Sequence, residues 1–157
     1  MAMTDEQAQA RAVPPDLVEM LAGRRQLAER FQHFQNAFHE EGALEPRMLE
    51  LCRARVDALH GVSQGAASAA VLDVESSRQI AAGQFDGFSE QEQQALTLAE
   101  QLAIDAHGVS DGQVAALNNA LGEAATVSLL TAVSMHDAGI RLQKVLGALK
   151  GTGAGSP

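Results

Sequence analysis

Apolar residues recur at helical spacing along almost the whole chain, and this periodicity constrains the fold more than any other feature. Residues three or four positions apart lie on one face of an α-helix. Between about residues 16 and 39 these positions hold Leu17, Met20, Leu21, Leu27, Phe31, Phe34 and Phe38. Ala and Leu dominate the hydrophobic 46 %, whereas aromatic residues make up 3 % and Trp and Tyr are absent. Because strands prefer aromatic and β-branched residues, the sequence predicts an all-α fold.

Chain breakers and capping residues divide this pattern into about six helices. Pro46 occupies a first helical position, and Ser89 with Glu92 and Ser110 with Gln113 have the spacing of capping boxes. A break is expected near Gly23. The predicted helices span about 16–39, 46–59, 62–82, 89–106, 110–121 and 123–149, with Gly108 expected to terminate the fourth.

A length of 157 residues predicts a single domain, which we place at 14–150. The polar segment 1–13 precedes Pro14–Pro15, which break a helix, and is predicted to be mobile. The Gly-rich segment 151–157 is predicted to be a disordered tail.

The charge balance argues against several classes of partner. The formal net charge is −9, and no basic cluster exceeds Arg24–Arg25, so we expect neither nucleic acid nor an anionic membrane as partner. The sequence contains no run of about 18 apolar residues, so we expect no membrane-spanning helix. A single cysteine excludes an internal disulfide, and the polar N-terminus does not resemble a signal peptide. We expect a cytoplasmic protein.

Two adjacent segments carry a family resemblance. They are PRMLELCRARVDAL and VSQGAASAAVLDVE, joined by His60–Gly61. The pattern E-L-x-x-x-R-V-x-x-L-x-G resembles the carboxymuconolactone decarboxylase / alkylhydroperoxidase D superfamily. The stretches FSEQEQQALTLAEQLA and HGVSDGQVAAL, followed by a long helix containing Arg141, are also similar to it. The resemblance covers roughly 16–149, and it implies an alkylhydroperoxidase D-like helical domain that assembles as a homo-oligomer, commonly a trimer or hexamer.

The resemblance also indicates which catalytic groups are missing. Family members use a Glu, a cysteine pair at a helix N-terminus and a His to reduce peroxides. Glu50 matches the Glu, but Val62 and Gly65 stand at the cysteine positions and Ala69 at the His position. His60 replaces the usual Asn. Because Val, Gly and Ala carry no nucleophile or proton donor, a two-cysteine peroxidase mechanism is excluded.

Cys52 is the remaining thiol. On a helical wheel it falls in an apolar stripe with Met48, Val56 and Leu59. A cysteine in such surroundings is buried and inert, and this is the interpretation we prefer. The alternative is a one-cysteine hydroperoxide reductase that uses Cys52 with an external thiol.

Glu50 and His60 are the candidate catalytic residues. Glu50 shares a face with Arg53 and Asp57, and that face is either solvated or the wall of a crevice in which Glu50 binds or deprotonates a ligand. His60, at the joint between two helices, is either an acid or base near neutral pH or a partner of a helix-end carbonyl.

A ridge of small residues follows His60. Its members are Gly61, Gly65, Ala66, Ala69 and Ala70. We interpret the ridge as a surface for close helix packing. The alternative is that Val62, Gly65 and Ala69 line an apolar pocket enlarged by the loss of the family's catalytic side chains.

No metal or cofactor site is predicted. The five histidines lack the i,i+3 or i,i+4 spacing of ligands beside a carboxylate, and no glycine-rich phosphate loop is present. His136 and Asp137 are adjacent on a helix and point about 100° apart, so they do not pair with each other.

The preferred hypothesis is a divergent family member that has lost peroxidase activity and binds a small molecule in a pocket around Glu50, His60 and the ridge at 62–69. An alternative is a cysteine-independent decarboxylase acting on a lactone or cyclic acid through Glu50 or His60, with Arg53, Arg55 or Arg141 as local cations. A third is a non-enzymatic scaffold. The sequence leaves open whether the chain is an enzyme.

Overall fold

The computed structural model describes residues 20–40 and 42–152, and within them every regular element is helical. The predicted all-α fold is confirmed. The α-helices are α1 (Arg25–Glu40), α2 (Pro46–His60), α3 (Ala66–Val71), α4 (Val74–Ala82), α5 (Glu90–Ile104), α6 (Asp111–Leu121) and α7 (Glu123–Thr152). Short 3-10 turns occupy Ala22–Arg24 and Ala106–Gly108. The predicted mobile segment 1–13 lies outside the described residues, as do residues 153–157 of the predicted tail. The first two residues of that predicted tail, Gly151 and Thr152, instead form the end of α7.

Local capping signals were good predictors of helix ends. Pro46 occupies the first turn of α2. Ser89 and Ser110 each form the expected capping box, with Glu92 and Gln113. Gly61 closes α2 in the left-handed conformation, at φ +66°. A side chain there would be strained, so this joint requires glycine.

The helix predicted over 62–82 is wrong, because the segment contains two shorter helices. Residues 62–65 are not helical, and α3 begins only at Ala66. Asp73 then caps α4, accepting hydrogen bonds from the backbone N–H and the hydroxyl of Ser76. Asp is a preferred N-cap residue, so a new helix begins after Asp73 and the preceding helix ends before it. Val62 and Gly65, which the resemblance places at cysteine positions, therefore do not lie on a helix.

Two other boundaries differ from the prediction. The interruption expected at Gly23 is the 3-10 turn that precedes α1. Helix α5 ends at Ile104, before the predicted end, because Asp105 leaves the helix and its carboxylate accepts from the N–H of His107.

Helix α2 lies at the centre of the domain. It contacts α3, α4, α5 and α7, and ten consecutive residues, 48–57, are buried. The main hydrophobic core joins α2 to α5, α6 and α7 through residues that include Leu49, Cys52, Val56, Leu98, Leu117, Leu129 and Val133. A smaller core joins α2 to α4 and α5, and it consists of Leu51, Ala54, Leu72, Ile80, Phe88 and Leu96. Since α2 is covered on nearly every side, its charged residues Glu50, Arg53, Arg55 and Asp57 are buried and require partners.

Among the described residues, no helix combines the length and the apolar character needed to cross a bilayer.

Candidate functional site

A cleft of about 430 Å³ opens beside the C-terminal end of α2. The C-terminal half of α2, residues 61–64 and one face of α4 form its walls. The lining residues are Ala54, Asp57, Ala58, Gly61, Val62, Ser63, Gln64, Ser77 and Ala81. Val62, a predicted pocket residue, lines this cleft, whereas Gly65 and Ala69 are not among the lining residues. Small apolar and uncharged polar groups therefore make up most of the wall.

Asp57 is the charged residue of the lining, and it is 4 % exposed. One carboxylate oxygen, Oδ1, lies 2.7 Å from Nε2 of His136 on α7. The other, Oδ2, accepts from the backbone N–H of Gly65 at 3.3 Å. Asp57 thus connects the central helix both to α7 and to the segment that borders the cleft.

His60 lies one turn after Asp57 and belongs to a second connection between α2 and α7. Its Nε2 is 2.5 Å from Oδ1 of Asp137, and Lys144 donates to its backbone carbonyl at 2.7 Å. Asp137 also accepts from Nε of Arg141 at 2.8 Å. Partial burial opposes ionisation of Asp137, but the hydrogen bonds from Arg141 and His60 outweigh it and hold its pKa below the ordinary value. The imidazole of His60 is engaged in helix–helix contact and is not among the lining residues of the cleft.

Glu50 is 1 % exposed, so the interpretation of its face as solvated is wrong. Its Oε1 accepts from Nη1 of Arg53 at 2.9 Å, and its Oε2 accepts from the hydroxyl of Ser68 on α3 at 2.6 Å. Arg53 and Asp57, on the same face, are buried too. Glu50 therefore holds α3 against α2, and it does not line the cleft.

The predicted burial of Cys52 is confirmed. The residue is 0 % exposed and lies in the main core. Burial, together with the nearby negative charge of Glu92, raises the pKa of the Cys52 thiol to about 12. Since the thiolate is the reactive form, this thiol is not activated for attack on a peroxide.

The small-residue ridge does not serve close helix packing, and that prediction is wrong. Its five residues, Gly61, Gly65, Ala66, Ala69 and Ala70, are all exposed. A Cβ placed on Gly61 or Gly65 would meet no other atom within 4 Å. The ridge faces outward because α3 contacts α2 through Ser68, which is buried.

The arginines proposed as local cations each have an acidic partner. Arg53 contacts Glu50, as described above, and Arg141 contacts Asp137. Arg55 lies 2.7 Å from Glu100, donates to the carbonyl of Ile80 at 2.9 Å and stacks over a phenyl ring. None of these arginines lines the cleft.

The hydrogen-bonded pairs that join α2 to α7 were not predicted from the sequence. Asp57 with His136 and His60 with Asp137 are 79 and 77 positions apart. A usable signal was present, because polar side chains within the long apolar patterns of α2 and α7 require partners once those helices are buried.

The polar groups of the cleft can form hydrogen bonds but do not make up a set of metal ligands. Across residues 20–40 and 42–152, no three His, Cys, Asp or Glu side chains are placed to hold a metal ion. The cleft can therefore bind through the Asp57 carboxylate, two serine hydroxyls and the Gln64 amide. Comparisons with family models, curated proteins and solved structures give no match for this chain.

Proposed function

We propose that this chain binds a small molecule in the cleft between α2, residues 61–64 and α4, and that it performs no thiol chemistry. The cleft itself is the observation that supports this proposal. Its volume of about 430 Å³ falls within the usual range of small-molecule sites. Its wall combines Ala, Val and Gly with the polar residues Asp57, Ser63, Gln64 and Ser77, and polar groups in such sites fix a ligand's orientation. The protein is proposed to be a homo-oligomeric, divergent relative of the carboxymuconolactone decarboxylase / alkylhydroperoxidase D superfamily.

The alternative functions have less support. A one-cysteine reductase needs an accessible thiolate, whereas Cys52 is enclosed by the core and its pKa is raised. A decarboxylase for an acidic lactone needs a cation near its substrate, but no Lys or Arg lines the cleft. Its proposed proton-transfer groups, Glu50 and His60, are both engaged in contacts between helices.

A pair of variants on α4 tests whether the cleft binds ligands. Ala81 lines the cleft, whereas its neighbour Ala82 is exposed and is not among the lining residues. Ala81→Phe fills part of the cleft, and Ala82→Phe adds the same side chain outside it. We expect a panel of neutral, cationic and anionic ring-containing fragments to give binders by ligand-detected NMR. Ala81→Phe should abolish their signals, and Ala82→Phe should retain them.

The absence of binders, or binding that neither variant changes, would refute the cleft as a ligand site. Unchanged folding by far-UV circular dichroism is the control for both substitutions. A negative panel would leave the scaffold hypothesis as the better account.

A further inference from the structure

We infer that a second copy of this chain packs antiparallel against the exposed face of α7, across a two-fold axis. The inference rests on the homo-oligomer of the proposed function and names its contact surface, and it is independent of ligand binding in the cleft. The observation that carries it is an uncharged strip along α7 that is complementary to itself.

The strip follows one face of α7 for about six turns. Its members recur every three or four residues, which keeps them within roughly 80° of one another around the helix axis. All are exposed, and its three largest apolar side chains, Val127, Leu142 and Val145, are 58 %, 42 % and 60 % exposed. The strip consists of Ala124, Val127, Thr131, Ser134, Ala138, Leu142 and Val145.

The absence of charge on this face is unusual for an exposed helix. Residues 124–136 contain no Asp, Glu, Lys or Arg, although 20 % of the chain is charged. The exposed side of a helix normally carries charged and polar groups, whereas α7 presents uncharged residues on its exposed side as well as in the core. Contiguous exposed apolar surface of this kind is typical of a contact with another molecule.

The order of side chains along the strip fits a second α7. If two copies run antiparallel with the axis near Ser134, larger residues of the C-terminal half lie opposite smaller residues of the N-terminal half. The hydroxyl of Ser134 is already satisfied by the carbonyl of Leu130, so it can lie in such a contact without an unpaired donor. The opposed pairs are Val145 with Ala124, Leu142 with Val127, and Ala138 with Thr131.

Charge at the two ends of the strip favours the antiparallel direction. Glu123 lies at the first position of α7, and Lys144 lies near the other end of the strip, where it donates to the carbonyl of His60. Antiparallel packing brings the end with Glu123 next to the end with Lys144 of the other copy. Parallel packing would instead bring like charges together, which is unfavourable.

The area of the strip sets the expected strength of the contact. The strip is about 30 Å long and roughly 10–12 Å wide, so each copy buries on the order of 350 Å². The total, about 700 Å², is smaller than the roughly 1,200 Å² at which stable interfaces begin. We therefore expect a weak, reversible dimer.

Sedimentation equilibrium of the full chain over about 10 µM to 1 mM tests the contact. The mean mass should rise with concentration from 16.5 kDa toward twice that value. Ala138→Glu places a carboxylate where a second copy would desolvate it, and should raise the dimer Kd at least about tenfold. Ala82→Glu is the matched control, because it adds the same charge at an exposed position on α4, which packs against α2. It should leave the Kd unchanged.

Disulfide formation between engineered cysteines tests the direction. Ser134→Cys lies near the two-fold axis, so two copies should cross-link under copper phenanthroline. Ala124→Cys should not, because its two copies lie about 30 Å apart in the antiparallel arrangement and a disulfide needs Cα atoms within about 7 Å. Cys52 is buried and does not compete. Quenching with N-ethylmaleimide precedes non-reducing electrophoresis.

The outcomes separate this inference from the rest of the proposed function. A monomer at every concentration would overturn both the contact and the proposed homo-oligomer, while the cleft would still be tested by its own variants. An oligomer that Ala138→Glu leaves intact would overturn the contact and retain the homo-oligomer. Cross-linking of Ala124→Cys as readily as Ser134→Cys would overturn the antiparallel direction. If Ala138→Glu does not fold by circular dichroism, the cross-linking pair decides.

Discussion

Replacing Ser68 with Ala removes the hydroxyl that donates to Oε2 of Glu50 at 2.6 Å. Ser68 is 2 % exposed, and Glu50 is buried as well, so water cannot easily take the place of the lost donor. A hydrogen bond to a charged group contributes roughly 1.5–3 kcal/mol, whereas the better helix propensity of Ala returns about 0.5 kcal/mol. We therefore expect Ser68→Ala to lower the free energy of unfolding by about 1.5 kcal/mol.

The matched control is Ser134→Ala on α7. Ser134 also lies in a helix and also donates from its hydroxyl, but it is exposed and its acceptor is the neutral carbonyl of Leu130. Both substitutions gain the same helix propensity, so their difference isolates the buried charged acceptor. Urea unfolding followed by circular dichroism measures the free energy of unfolding of both variants, and thermal unfolding followed in the same way gives their Tm. At roughly 2–4 °C per kcal/mol, Ser68→Ala should lower Tm by about 3–6 °C, and Ser134→Ala should leave it nearly unchanged. Equal effects of the two substitutions would refute the assignment of Glu50 as the anchor of α3.

Two further predictions follow from the side-chain environments. The buried Cys52, whose pKa is raised to about 12, should resist iodoacetamide in the native protein and react fully in denaturant. Rapid native labelling would contradict its place in the core. Because the folded pKa of Asp137 is lowered, its stabilising contribution is present above its unfolded pKa and is lost as pH falls through the folded value. Arg141→Gln removes one cause of that lowering, so the variant should lose less unfolding free energy than the unmodified chain between about pH 7 and pH 3, where Asp titrates. Identical losses in urea titrations would contradict this assignment.

Features of the fold that depend on neighbouring residues could be predicted from the sequence. The capping boxes at Ser89 and Ser110 each require only a residue three positions away, and the apolar stripe around Cys52 requires only helical periodicity. The division of the 62–82 segment was also encoded locally, by Asp73 as an N-cap, although the run of Ala residues obscured it.

Features that depend on how helices surround one another could not be predicted in this way. A helical wheel correctly placed Glu50 and Asp57 opposite the apolar stripe of α2, but it could not show that α3, α4 and α7 cover that side as well. The exposed ridge beyond Gly61 has the same origin, since periodicity does not determine which face of a short helix meets its neighbour. The candidate site, formed largely by the joint between α2 and α4, therefore became apparent only in three dimensions.

The two acid–imidazole pairs between α2 and α7 have opposite polarity. Asp57 and His60 on one helix meet His136 and Asp137 on the other, so each helix supplies one acid and one imidazole. If α7 were rotated so that its two polar residues exchanged places, acid would face acid and imidazole would face imidazole. Such an arrangement would lose both hydrogen-bonded pairs and would place the Asp57 and Asp137 carboxylates together, so these four side chains favour the observed pairing of α2 with α7 over the exchanged one.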